Sequence, residues 1–352
     1  MRSGVQLSPL VWAVVGLGTG GRHFHAPLLR AADGIDLAIA VGRDRDGLHR
    51  DFGAVEVVPD LAAARSAGAQ AVTITTPAGT HEELAHEAIE LGLHVVVDKP
   101  FALTATGAQG LIDHADRRGV LLSAFQNRRW DGDFLTVRSF VEDGSLGDIH
   151  RFYNRIQRFH PDLPAWNVGR MPEDGGGTLL DLVPHLVDQA LVLLGPAQSV
   201  FAELRRVGGG TGGEDDVLMI IRHDSGAQSV IEASVAAATQ GPRMQVNGSR
   251  GGVFVEGFDV QEVDLLAGRT PLLLGGDWGR EPAERVVMYD RGDGLQPHAL
   301  RAGEWTRLYP QFAAAVRGQA VVPVDPGDAV CTAQVIDAAR VSASEGRWVV
   351  LV

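Results

Sequence analysis

The sequence is poor in lysine. Of its 31 basic residues only Lys99 is a lysine, and the other 30 are arginine. It has one cysteine, Cys331, which excludes an internal disulfide and fits a reducing, cytoplasmic setting; its place in an expected C-terminal helix suits an inert apolar role. Long apolar runs are missing too. The run "VWAVV" (11–15) is far too short for a signal core or a membrane span. No basic stretch stands out against a net charge of −13, which argues against nucleic acid as a partner. With 45% hydrophobic and 21% charged residues over 352 positions, the chain has the make-up of an ordinary soluble protein with room for two domains.

The lone lysine raises a chemical question. A guanidinium stays charged, whereas an ammonium shifts its pKa when buried and exchanges a proton. Either position 99 needs an amine, or arginine-for-lysine drift missed one site; the surroundings of "VVVDKPF" (95–101) must decide.

Residues 11–125 alternate between two periods. Apolar β-rich runs at 11–15, 37–41, 55–58, 71–75, 94–97 and 120–125 are separated by helical patterns such as 80–92 and 104–119. Strands apolar on both faces and joined by helices predict a doubly wound parallel sheet over residues 1–125. The pattern then changes. A helix at 133–143, a strand at 148–159 and an apolar helix at 178–194 precede consecutive strands over 199–290. Residues 126–352 therefore predict an α+β domain with a large, mostly antiparallel open sheet. Two closing helices, 304–317 and 328–345, are expected to pack back on the first domain.

"VVGLGTGGRHFH" (14–25) holds G-x-G-x-x-G at Gly16, Gly18 and Gly21, directly after the first strand and opening a helix. In that context the glycines permit a tight turn and let backbone approach a pyrophosphate, with Thr19 beside it. An acid ending strand two would hold a ribose 2′-hydroxyl, but "AVGRDRD" (40–46) puts Gly42 and Arg43 there, with Asp44 and Asp46 in the loop beyond. An arginine suits a 2′-phosphate, hence NADP(H), with NAD(H) as the alternative; a solvated loop charge is the bland reading. "TTPAGTH" (75–81) ends strand four and "DKPF" (98–101) ends strand five, so Lys99 falls on the carboxyl edge where such sheets bind ligands. In "GGGTLLDLVPHLVDQALVLLG" (175–195), Asp181 and His185 stand four apart and share a helix face. A histidine beside a carboxylate is a natural general base. No metal is expected, because the histidines of "HEELAH" are five apart. "HFH" (23–25) reads as packing.

Together "GLGTGG", "FHAPLL", "TTPAGTH", "DKPF", "QNRRWDGDFLTV" and "DLVPHLVDQAL" resemble the glucose-fructose oxidoreductase/inositol dehydrogenase/MocA family over essentially the whole chain, closest to its NADP-dependent scyllo-inositol dehydrogenase branch. The resemblance implies a Rossmann domain and a catalytic Lys99, Asp181 and His185. It implies cofactor contacts from Gly16, Gly18, Thr19, Gly21, Arg43, Thr75, Thr76, Pro77, His81, Asp98 and Lys99, and substrate contacts from Lys99, Asn127, Trp166, Asp181 and His185. It also implies a polyol or sugar substrate and a homodimer or homotetramer formed through the second sheet. Two departures are Asp98 for the usual Glu, a shorter arm near the nicotinamide ribose, and Val183 where glycine is common. The expectation is an NADP(H)-dependent oxidoreductase acting on a secondary alcohol. The rival is a cofactor-binding sensor or repressor without turnover, which need not keep an amine, a carboxylate and an imidazole together.

Overall fold

Six short runs apolar on both faces form the first sheet: β1 (Leu10–Val15), β2 (Ile35–Val41), β3 (Glu56–Val58), β4 (Ala71–Ile74), β5 (His94–Val97) and β6 (Leu122–Ala124). They pair in parallel in the order β3-β2-β1-β4-β5-β6, each where the sequence predicts a strand. The order turns back on itself between β1 and β4, the switch point at which open α/β sheets bind ligands. The computed structural model describes residues 8–16, 18–52, 54–160, 170–208 and 211–351. Connecting helices are fixed by local chemistry. Thr104 accepts from Gly107 N and opens the helix Ala105–Arg118, and Gly119, at φ +65°, closes it where a side chain would be strained. The first connection departs from a plain α-helix: Gly20–His25 is a π-helical turn, followed by α-helix Ala26–Arg30. Pro27 has no N–H to continue an i→i−4 ladder, and the turn ends where Ala26 N donates to Gly21 O, five residues back.

The second sheet holds β7 (Ile149–Gln157), β8 (Ala197–Arg205), β9 (Asp216–His223), β10 (Gln228–Ser234), β11 (Met244–Gly248), β12 (Gly251–Val255), β13 (Val286–Asp290), β14 (Gln296–Ala299) and β15 (Val349–Val350). Its order is β14-β13-β12-β11-β7-β10-β9-β8-β15, antiparallel except for the β7–β10 pair. Helices Gly132–Glu142, Val183–Leu194 and Pro326–Glu345 supply residues to its core, including Phe134, Val137, Val183, Leu186, Val335 and Ala339. Among the described residues, no helix is long and apolar enough to cross a membrane.

Three expectations need correction. The stretch 199–290 is not all strand: helices Val260–Leu266 and Pro271–Leu274 lie between β12 and β13, and Asp259 caps the first by accepting from Gln261 N. From this excursion Leu265 and Trp278 are buried in the first core. The expected helix 178–194 is two, Thr178–Asp181 and Val183–Leu194, because Pro184 cannot donate to the carbonyl four residues back. Asp181 and His185 therefore do not share one continuous helix face. Cys331 sits on its helix but is exposed; burial, then Asp328, pushes its thiol up and so away from the reactive thiolate.

The closing helices contribute to both cores. Trp305, Leu308, Tyr309 and Phe312 enter the first, where Trp12 meets Tyr309 and Phe312 edge-on with ring centroids 5.3 and 5.6 Å away. Helix Pro326–Glu345 gives Val330 and Ala333 to the first core and Val335 and Ala339 to the second.

Candidate active site

Each parallel strand except β3 delivers a candidate residue from its carboxyl end, and strand order sets them in a row: Arg43 after β2, Gly16 to Gly21 after β1, Thr75 to Pro77 after β4, Asp98 and Lys99 after β5, Gln126 and Asn127 after β6. The glycine turn is built for close approach. Gly16 has φ +121°, and a Cβ there would strike the Thr75 carbonyl; a Cβ on Gly21 would strike Gly16 O. At Gly18 a Cβ would meet nothing within 4 Å, so this turn opens on free space. Thr19 is exposed beside it. Such a turn fits the pyrophosphate of a dinucleotide.

β2 ends at Val41, as the sequence predicts. Arg43 is exposed and makes no hydrogen bond or ion pair with the described residues. Asp44 is not in a free loop: its carboxylate accepts from Gly47 N at 3.0 Å and its carbonyl from Leu48 N at 2.9 Å, so it opens the helix Arg45–Phe52. Asp46 lies in that helix's first turn.

Thr75 is buried and donates to Asp98 Oδ2 at 2.9 Å; Thr76 pairs with Thr80 at 2.7 Å, and Pro77 is exposed. His81 is buried with its ring nitrogens 2.8 Å from Pro100 O and from Thr76 O, so it ties the two turns together from below. Asp98 Oδ1 accepts from Lys99 N at 2.7 Å, and His25 Nε2 lies 3.2 Å from Oδ2. Burial pushes the Asp98 carboxyl up, but His25, then Lys99 and His81, outweigh it and hold the group well below the usual carboxylate range. The expectation that "HFH" only packs is therefore too weak. His25 is sealed in the core, its ring tilted 49° to that of Phe125 with centroids 4.1 Å apart, and its Nδ1 meets Tyr309 Oη at 2.6 Å; Tyr309 in turn meets Thr73 Oγ1 at 3.1 Å. Local sequence carries no signal for this, since Tyr309 lies 284 residues away.

Lys99 follows, joined to Pro100 by a cis bond. Its Nζ donates to Asp181 Oδ1 at 2.6 Å and to Asp181 O at 3.0 Å, with both side chains about a quarter exposed at 24% and 25%. Burial opposes the charge, but Asp181 and then Asp98 outweigh it and raise the Lys99 ammonium above its ordinary value. His185 is 6% exposed, with Nδ1 3.1 Å from Gln126 Oε1. Burial, then the cations Arg128 and Lys99, push it well below the ordinary imidazole value; Asp98 works the other way. It is a neutral imidazole near pH 7, able to accept a proton. Asn127 is buried and, among the described residues, has no hydrogen-bonded partner for its amide. Trp166 lies outside the described residues. Asp188, on the same helix, is paired with Arg129, at 2.6 and 2.8 Å. Among the described residues no group of three or more metal-binding side chains forms.

Residues 10–126 match the model of the oxidoreductase family with an NAD-binding Rossmann fold, and residues 134–254 match the GFO/IDH/MocA C-terminal domain. The chain belongs to the GFO/IDH/MocA family. It is 32% identical over 346 residues to scyllo-inositol 2-dehydrogenase (NADP(+)) IolW of Bacillus subtilis, covering 96% of this chain and 95% of the relative. It is 29% identical over 202 residues to myo-inositol 2-dehydrogenase of Thermotoga maritima, covering 56% and 58%. The solved structure of the oxidoreductase yvaA from Bacillus subtilis superposes with a TM-score of 0.91 at 30% identity, covering 99% of both chains. This GFO/IDH/MocA member is thus an oxidoreductase with an NAD-binding Rossmann domain.

Proposed function

We propose that the protein is an NADP(H)-dependent dehydrogenase interconverting a secondary alcohol and a ketone on a polyol, an inositol of the scyllo type or a sugar. The observation that carries this reading is the meeting of a charged amine, its carboxylate partner and a neutral imidazole at the carboxyl edge of the first sheet. Gly16, Gly18, Thr19 and Gly21 would hold the pyrophosphate, Thr75 to Pro77 and Asp98 the nicotinamide half, and Arg43 a 2′-phosphate. When bound, the nicotinamide supplies the hydride acceptor or donor. His185 Nε2 takes the proton of the substrate hydroxyl. The Lys99 ammonium donates a hydrogen bond to the same oxygen and stabilises the charge that develops there. Asp181 fixes Lys99 through Oδ1, and its second oxygen remains available to a neighbouring substrate hydroxyl. A rack of adjacent hydroxyls matches such a site better than a simple alcohol would.

NADP(H) is favoured by Arg43, which is exposed at the end of β2 and has no bonded partner among the described residues. The NADP(+) of the inositol dehydrogenase relative points the same way. The reading extends to self-association through the open face of the second sheet, where Tyr153, Leu218, Ile220, Val230 and Phe254 lie among Arg155, Arg222 and Glu232. Of "MQVNG" and "VFVEG", whose apolar residues the sequence suggests for this contact, Met244, Val246, Val253 and Val255 face the helices instead, and only Phe254 stays on the open face. Strand side chains alternate, so the core claims every second one. The test of function is a panel of inositols and aldoses read by NADPH absorbance, for wild type and His185→Ala. Turnover of a polyol that rises with pH, and the loss of that rise in His185→Ala, is expected; no turnover of any polyol, or a limb that survives the substitution, overturns it.

A further inference from the structure

Gln126 follows Phe125 just beyond β6, is 4% exposed and faces His185 from the opposite core. Its Oε1 lies 3.1 Å from His185 Nδ1, and its Nε2 lies 3.5 Å from Pro184 O. The two ends of a side-chain amide differ: oxygen accepts and nitrogen donates. Pro184 O only accepts, so the amide nitrogen belongs on that side; a flipped amide would set oxygen against oxygen. The oxygen then faces Nδ1, and a hydrogen bond there needs the proton on Nδ1. A neutral imidazole carries one ring hydrogen, so Nε2 keeps the lone pair. Nε2 has no partner among the described residues and is not sealed from solvent.

We propose that Gln126 is a positioning residue that selects the His185 tautomer in which Nε2 is the base. This rests on reading His185 as the base. The turn that carries Gln126 cannot drift from the helix Val183–Leu194, because two further ties hold it. Gln189 Nε2 donates to Arg128 O at 2.8 Å, and Arg129 grips both oxygens of Asp188. Gln189 is itself held by Asn154 and Arg243, each 3.1 Å from its Oε1. The charged groups acting on His185 are Arg128, Lys99 and Arg243, which disfavour its protonation, and Asp98, which favours it; none of them bonds either ring nitrogen. After Nε2 takes a proton, Nδ1–H still donates to Gln126, so the ring need not turn between the two states.

The test is 15N NMR of histidine-labelled protein, with the His185 signals identified by their loss in His185→Ala. In the wild type Nδ1 should show the shift of a protonated nitrogen and Nε2 that of an unprotonated one. Gln126→Met keeps the length and removes the acceptor; the tautomers should mix and kcat fall roughly five- to tenfold, the size of one hydrogen bond, with KM little changed. Gln126→Glu keeps the acceptor and adds a negative charge that favours imidazolium, so the base appears only at higher pH and the limb of the rate profile moves up. An Nε2–H tautomer in the wild type, or an unaltered tautomer in Gln126→Met, overturns the proposal. If instead the tautomer is as stated but His185→Ala keeps the pH limb, it is the reading of His185 as base that falls.

Discussion

Replacing Asp181 by Asn removes a charge and leaves the shape almost unchanged. In the wild type the carboxylate sits 2.6 Å from Lys99 Nζ, and it is the largest of the influences that raise this ammonium above its ordinary value against the opposing effect of burial. With the carboxylate gone, burial and Arg128 act against Asp98 alone, so Lys99 gives up its proton at lower pH than before. Two effects follow. A charge-assisted hydrogen bond is worth about 1.5–3 kcal/mol, so loss of the grip on Nζ lowers kcat/KM about ten- to a hundredfold if the lysine must be held to meet the substrate oxygen. The charged form is also lost earlier on the alkaline side, so the high-pH fall in rate moves to lower pH in Asp181→Asn. The acidic limb, which the proposed function assigns to His185, should move far less, since Asp181 is not among the groups that shift it. The assay is polyol oxidation followed by NADPH absorbance across the pH range, with cofactor saturating. A variant whose alkaline limb coincides with that of the wild type refutes the idea that Asp181 keeps Lys99 charged for the reaction.

Arg43→Ala should cut the preference for NADP over NAD by roughly ten- to a hundredfold in kcat/KM, the worth of one charge-assisted bond to phosphate, and a wild type that prefers NAD would instead assign the ribose to Asp44 or Asp46. Lys99→Arg keeps a charge but replaces a compact ammonium by a larger planar guanidinium, so turnover should fall by orders of magnitude while dinucleotide binding, followed by fluorescence titration, persists. Light scattering at micromolar concentration should give the mass of a dimer or a larger assembly; a monomer mass removes the pairing of the open sheet faces.

The first sheet was legible because both its cues are local: apolar runs of strand length, and helices that begin and end on capping residues. The glycine turn and Lys99 were legible for a related reason, since position at a strand's carboxyl end follows directly from the strand. What failed were features in which one proline or one distant partner decides. Pro184 splits what periodicity reads as one helix, so Asp181 came to Lys99 through a break rather than along a face. The helix Val260–Leu266 carries apolar residues that suit a strand as well, and its docking on the first core is a tertiary preference. His25 and Gln126 escaped notice because their partners, Tyr309 and His185, lie far along the chain, and no spacing rule connects them. Asn127, next door to Gln126, has no hydrogen-bonded partner for its amide among the described residues, whereas Gln126 meets the His185 ring.

A chain with a single lysine offers amine-selective reagents one side-chain target, and here that target is the proposed catalytic ammonium. Acylation at this residue is therefore an active-site titration: the extent of labelling of the Lys99 peptide, read by mass apart from the more reactive α-amino group, should equal the fraction of activity lost. Because only the neutral amine attacks, the ion pair also acts as a shield, and labelling should be slow while Asp181 is present and faster once it is replaced. The protein carries its own reporter of whether the pair is closed, and coupling it to a surface through lysine would silence it.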